Sequence, residues 1–272
     1  YQHDMVTGKA HCHPEYASAE DKPMISRVAP NTVKNKAIGV VSRIDLLKTL
    51  SFLAVMGFVV GLYLAILDAP TDLRQGHVQR IFYLHLGAFA GAFVGFVSAV
   101  IGGIAYLKTR KFRWDMLAHA GVEVGFVLAI INVVTGVIYA RLIVNSWWTW
   151  YSKLTAVTIM TLPYASYLML RNGIEDLDRR RIFSAVYGIF AFMTVINTFM
   201  IIRVRPDTLH DAMFVPDGGF SSFSMGMQVA LYANLLIWGG LIAPVLMGWR
   251  MRLEKAMMKN EQLRIMFVEK EA

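Results

Sequence analysis

The chain has 272 residues and a formal net charge of +8, with 56% hydrophobic residues and only 17% charged. Soluble domains carry about a quarter charged residues, and the single cysteine, Cys12, excludes an intrachain disulfide and any Cys-rich metal or iron–sulfur site. Composition therefore sets aside a disordered protein, a disulfide scaffold and an ordinary cytosolic enzyme. It predicts an all-α, polytopic membrane protein.

In chain order, residues 1–45 form a polar arm containing His3, His11, Cys12 and His13. Such a tract reads either as a solvated tail or as a metal-binding stretch. A spanning helix needs ~20 mostly apolar residues, and six stretches qualify: 46–67, 81–107, 116–144, 154–170, 182–202 and 225–247. The fourth is short and carries Pro163, a kink that neighbouring helices can accommodate. Residues 249–272 mix Arg, Lys and Glu with apolar positions, the pattern of a helix along the inner leaflet or against a partner.

Lys and Arg alternate between the connections. There are seven in 1–48, four in 108–113, four in 171–181 and six in 248–272, whereas the other three connections share six. The positive-inside bias places both termini in the cytoplasm, with a six-helix transmembrane bundle over 46–248 between the two cytoplasmic segments. The same bias accounts for the basic charge, so no nucleic-acid partner is expected. Three segments then face outside: about 68–84, 141–153 and 203–224. These are the segments rich in residues able to carry chemistry, because the cytoplasmic loops are short and simply charged.

Of seven histidines, only His119 lies within a predicted span, close to the cytoplasmic end of the third, whereas His85 and His210 lie at the outer boundary. A neutral imidazole is a strong ligand for haem iron, but an interfacial histidine can equally be a hydrogen-bonded packing residue. Trp147, Trp148 and Trp150, followed by Tyr151, are denser than an aromatic belt requires. They read as a belt or as a platform for a large flat ligand; on a helix, Trp147 and Trp150 would share a face. Glu123 is a carboxylate deep in a span, costly there unless functional or hydrogen-bonded, and His119 four residues earlier is its natural partner. Asn132 and Asn197 are candidates for interhelical hydrogen bonds.

Residues 75–85 (QGHVQRIFYLH) resemble the segment before the second helix of CcmC-type haem-handling proteins of bacterial cytochrome c maturation. Thr135 and Gly136, then 147–155 (WWTWYSKLT), resemble the tryptophan-rich WWD signature of that family, and 207–210 (DTLH) its second outer histidine motif. The chain departs from the pattern in three places. Tyr151 stands at the signature aspartate, Lys153 at the following arginine, and Val204-Arg205-Pro206 where a Trp pair is common.

The resemblance implies a haem carrier rather than an enzyme, located in the bacterial inner membrane. Haem b would sit at the extracytoplasmic face with His85 and His210 as axial ligands of the iron. Trp147, Trp148 and Trp150, with Tyr151 beside them, would form the platform, and Arg80 would meet a propionate. It also implies an ABC transporter and a membrane-anchored haem chaperone as partners. Two alternatives stand beside it: a cytochrome c synthase of the related tryptophan-rich family, and a haem-free structural subunit of a membrane complex.

Overall fold

A computed structural model describes residues 30–204 and 223–271, apart from 74, 149 and 151, with side chains over 46–201 and 223–261 except Lys153. His210, Tyr151 and the His3–His13 tract lie outside the described residues. The chain divides into two compact units, Tyr1–Ile44 and Asp45–Ala272. In the first, the described backbone is helical from Pro30, whose fixed φ and missing N–H suit a helix start.

Every described element is helical apart from short turns. These elements are α1 (Pro30–Tyr63), continued by a π-helical turn at Leu64–Asp68; α2 (Gln79–Thr109); α3 (Phe112–Val144); α4 (Ser152–Gly173); α5 (Leu177–Val204); α6 (Met225–Leu236); a second π-helical turn (Ile237–Ile242); and α7 (Ala243–Glu271). Five helical stretches are long and apolar enough to cross a membrane: Leu46–Asp68, Gln79–Thr109, Phe112–Val144, Leu177–Ile201 and Met225–Glu261. The protein is a multi-pass membrane protein. The 22 residues of α4 could reach across ~30 Å of hydrocarbon at ~1.5 Å per residue. Its apolar character is diluted by Thr155, Thr158, Thr161, Pro163, Tyr164, Ser166 and Tyr167.

The ends of these helices follow from local chemistry. Pro70 ends the run that starts at α1. Arg110, in the left-handed region at φ 53°, closes α2 by donating its backbone N–H to the Tyr106 carbonyl. Asn145 takes the same region at φ 57° after α3, a conformation asparagine tolerates better than most residues. Asp176 opens α5 by accepting the backbone N–H groups of Asp178 and Arg179 at 2.9 and 2.8 Å.

Helix α2 is the centre of the bundle, packed against α3, α5, α6 and α7. Its approach to α3 is backbone on backbone. A Cβ on Gly121 would lie 2.5 Å from the Gly95 carbonyl oxygen, and one on Gly95 would lie 2.8 Å from that of Gly121. Small residues allow this contact, and dispersion plus close packing reward it where lipid provides no hydrophobic drive between helices. On the next face, Phe96 of α2 stacks on Tyr164 of α4 with centroids 3.7 Å apart. Trp238, in the second π turn, covers Gly87 of α2.

The sixth apolar stretch does not break at Met247. It runs on through α7 to Glu271, and its residues Arg250 and Glu254 pair with α3 and α4 instead of facing lipid alone.

Candidate functional site

The approach to α2 is shaped by a tight turn. The Asp72 carboxylate accepts the Gln75 backbone N–H at 2.7 Å, and its carbonyl accepts that of Gly76 at 2.9 Å. Gly76 sits at φ +58°, open to glycine at little cost. The turn carries Gln75 to α3, where the Tyr139 hydroxyl donates to its side-chain oxygen at 2.5 Å. Arg80 and His85 follow in the first turns of α2.

His85 lies against α3 and is partly buried. Its Nδ1 is 3.1 Å from Thr135 Oγ1. Asn132 donates its amide to the His85 carbonyl at 2.8 Å, and the same nitrogen is 3.3 Å from both ring nitrogens. An in-plane atom that near both would collide with Cε1, so the amide nitrogen lies over the imidazole face. Gly136 borders the Cε1 edge, where an added Cβ would lie 3.0 Å from Cε1 and 3.9 Å from Leu154 of α4. The start of α4, the helix that follows the tryptophan segment, thus meets α3 at the same glycine as His85.

Between α3 and α4 the described residues 145–148 and 150 are not helical, so the helical-face relation between Trp147 and Trp150 does not apply. The Asn145 turn frees the chain from α3, and Ser146 Oγ donates to the Trp148 carbonyl at 2.9 Å. Trp147 and Trp150 are 63% and 80% exposed. Trp148 turns inward and meets Trp150 edge to face, centroids 5.6 Å apart. Arg141 lies over the Trp147 ring at 5.6 Å. Among the described residues, the buried polar atoms without a hydrogen-bond partner include Gln79 Nε2, Arg80 Nε, Tyr83 Oη, Trp148 Nε1 and Thr155 Oγ1 at this end of the bundle. The described residues therefore bring His85 to the start of α4, with Arg80 and the tryptophans at the same end. They leave His210 and Tyr151 unplaced.

A second polar cluster lies at the other end of α3, where His119 is sixteen residues, or ~24 Å along the axis, from Thr135. His119 faces two carboxylates, Glu254 at Nδ1 (3.1 Å) and Glu123 at Nε2 (3.3 Å). Arg250 pairs with Glu123 and Glu254. Arg171 grips Asp115 and lies 3.6 Å from Glu254, and Arg181 also reaches Asp115. Three arginines thus balance three acids across α3, α4, α5 and α7, which keeps buried charge paired. Glu123 has its expected partner His119, and Asn132 makes its expected interhelical bond. Asp115, Arg171, Arg250 and Glu254 carried no comparable signal. One cue was available: Arg250 and Glu254, four apart, extend the apolar stretch if the helix continues.

The model of the CcmC family, described as heme exporter protein C, matches residues 32–267. The chain belongs to that family. Similar curated proteins include the heme exporter protein C of Paracoccus denitrificans, 30% identical over 109 residues (40% of this chain and 45% of that protein). That of Haemophilus influenzae is 26% identical over 197 residues (69% and 78%), and that of Bradyrhizobium diazoefficiens 27% over 209 residues (75% and 74%). Against the Paracoccus and Escherichia coli relatives the chain spans about half of the relative's length, 45% and 51%. Family membership draws on nearly the whole described fold, including both polar clusters.

Proposed function

We propose that this protein binds haem b at the extracytoplasmic face of a bacterial inner membrane and presents it to a membrane-anchored haem chaperone during cytochrome c maturation, working with an ABC transporter. Six spans, with α4 as the fourth and both termini cytoplasmic, give the positive-inside distribution read from the sequence. Haem is cargo here, and the protein makes or breaks no covalent bond.

The observation that carries this reading is His85 held by α3 with its Nε2 edge directed away from Thr135, at the end of the bundle that also bears the tryptophan segment. His85 and His210 would be the axial ligands. The exposed faces of Trp147 and Trp150, with Trp148 and Tyr151, suit a flat apolar macrocycle. The partnerless Arg80 Nε and Trp148 Nε1 are donors of the kind that propionate oxygens would accept from. The names of the relatives, heme exporter protein C, support the same cargo.

Purified from haem-replete cells, the protein should show a haem absorption spectrum that weakens in His85→Ala and is lost when His210→Ala is added. Retention of the normal spectrum and haem content by the double variant overturns the ligand assignment.

A further inference from the structure

We propose that Thr135 and Asn132 are positioning residues that fix the tautomer and plane of His85, so that Nε2 alone is offered to a metal centre; the inference builds on the haem reading above.

The Thr135 hydroxyl has a single proton to donate. Oγ1 lies 2.8 Å from the Ile131 carbonyl and 3.0 Å from the Asn132 carbonyl, and it donates to that backbone pair. This is the usual back-bonding of a helical threonine. Its proton spent, Oγ1 can only accept from His85 Nδ1 at 3.1 Å. Nδ1 therefore carries the imidazole hydrogen, and Nε2 keeps an in-plane lone pair. Which nitrogen of a histidine serves as ligand is set by the bond the other one makes.

Asn132 adds orientation. Its amide is tied to the His85 carbonyl at 2.8 Å and lies over the ring face, equidistant from the two nitrogens. That position limits rotation of the ring without occupying the Nε2 lone pair. Gly136 completes the cradle, since a Cβ there would press on Cε1 at 3.0 Å. Positions 132, 135 and 136 share one face of α3, so a single helical surface meets the face, the Nδ1 side and the Cε1 edge of the ring.

The acceptor is chemically telling. A carboxylate on Nδ1–H would raise the basicity of the imidazole and tighten its hold on iron. A hydroxyl, already engaged with backbone, is a neutral acceptor that orients the ring and leaves it a displaceable ligand. That suits cargo that must be handed on.

The test uses full-length protein in lipid nanodiscs, labelled with 15N-histidine. In haem-free protein, the signals absent from His85→Ala identify His85, and its nitrogens should show hydrogen on Nδ1 and none on Nε2. Thr135→Val should produce a mixture of tautomers, and Thr135→Ser should restore the wild-type pattern. In haem-loaded protein, Thr135→Val should retain haem about 10- to 100-fold more weakly with a higher reduction potential, and Thr135→Ser should again recover both. Hydrogen on Nε2 in the wild type, or Thr135→Val unchanged in tautomer and haem retention, overturns the proposal. Full haem content in His85→Ala instead overturns the haem reading, and the tautomer of the haem-free protein still decides the role of Thr135.

Discussion

Arg171 of α4 holds Asp115 of α3 through two parallel hydrogen bonds of 2.8 Å, and both side chains are buried. A planar guanidinium matches a carboxylate in this way, whereas an ammonium cannot. The pair fastens α4 to the central α2–α3 hairpin.

Removing one member leaves the other charge buried without its main partner. Arg171→Ala should destabilise the protein by about 3–5 kcal/mol. Arg171→Lys should cost less, because the charge remains and the two-pronged geometry is lost. Unfolding in mild detergent, followed by helical circular dichroism, measures both. A loss below about 1 kcal/mol for the alanine variant would contradict a structural role for the pair.

Gly121→Ala should be worse than its one added methyl suggests. The new Cβ would meet the Gly95 carbonyl oxygen at 2.5 Å and the Ala99 nitrogen at 2.9 Å, backbone atoms that no rotamer change can move. Overpacking costs about 1–3 kcal/mol where side chains can adjust, so a loss at or above the top of that range is expected. Gly240→Ala, which has open space at the same test position, is the control and should lie within about 0.5 kcal/mol of wild type.

The α5 cap has a defined pH dependence. Backbone N–H groups of Arg179 and Asp178 bonded to the Asp176 carboxylate, with the Arg179 charge beside it, hold its pKa below the ordinary 3.8. A folded-state value below the unfolded one means that the folded state binds fewer protons in this range. The charge-dependent stabilisation is then complete above about pH 4–5 and fades as pH falls through the depressed value. Asp176→Asn keeps the capping oxygen, so its Tm should trail wild type at pH 7 and converge with it near pH 2. A Tm difference that stays constant from pH 7 to pH 3 would refute the assignment.

Trp147→Ala and Trp150→Ala should separate binding from folding. Both side chains are largely exposed, so each variant should keep thermal stability to within about 0.5 kcal/mol while haem content per protein, read from the pyridine haemochrome, falls. Unaltered haem content in the double variant would leave these tryptophans as an interfacial belt.

How far the sequence foretells this arrangement depends on the range of the interactions. Apolar runs and Pro or Gly punctuation are local, and they placed most helix ends to within about five residues, although α1 starts at Pro30, inside the stretch read as a polar arm. The fit is poorer at the end of the last span, where Arg250 and Glu254 look like a membrane exit until their partners are known. Those partners lie 127 and 135 positions away in Glu123 and His119, a separation no periodicity reports. His85, Asn132 and the Thr135-Gly136 pair each drew notice individually. Their convergence, across 47 and 50 positions, depends on the close glycine contact that sets the register of α2 on α3. The end of α3 at Val144 was legible, since the predicted span stops there too; the shared face of Trp147 and Trp150 was not, because it held only on a helix.

The π turn at Ile237–Ile242 has a consequence for the gearing of the last rod. An inserted π residue advances everything downstream by one position, ~100° about the axis. Asn234, tied to the Gly61 carbonyl of α1, and Arg250, tied to Glu123 of α3, are sixteen residues apart. On an unbroken α-helix they would point ~160° from each other, whereas one extra residue brings them to ~60°. The turn thus acts as a phase shifter, letting one continuous rod engage α1 with its first half and the arginine–carboxylate cluster with its second. Regularising 237–242 to α-helix at constant length would swing the second half ~100° out of mesh, whereas deleting one residue, such as Gly240 with open space around it, would remove the π turn and keep the two halves in phase.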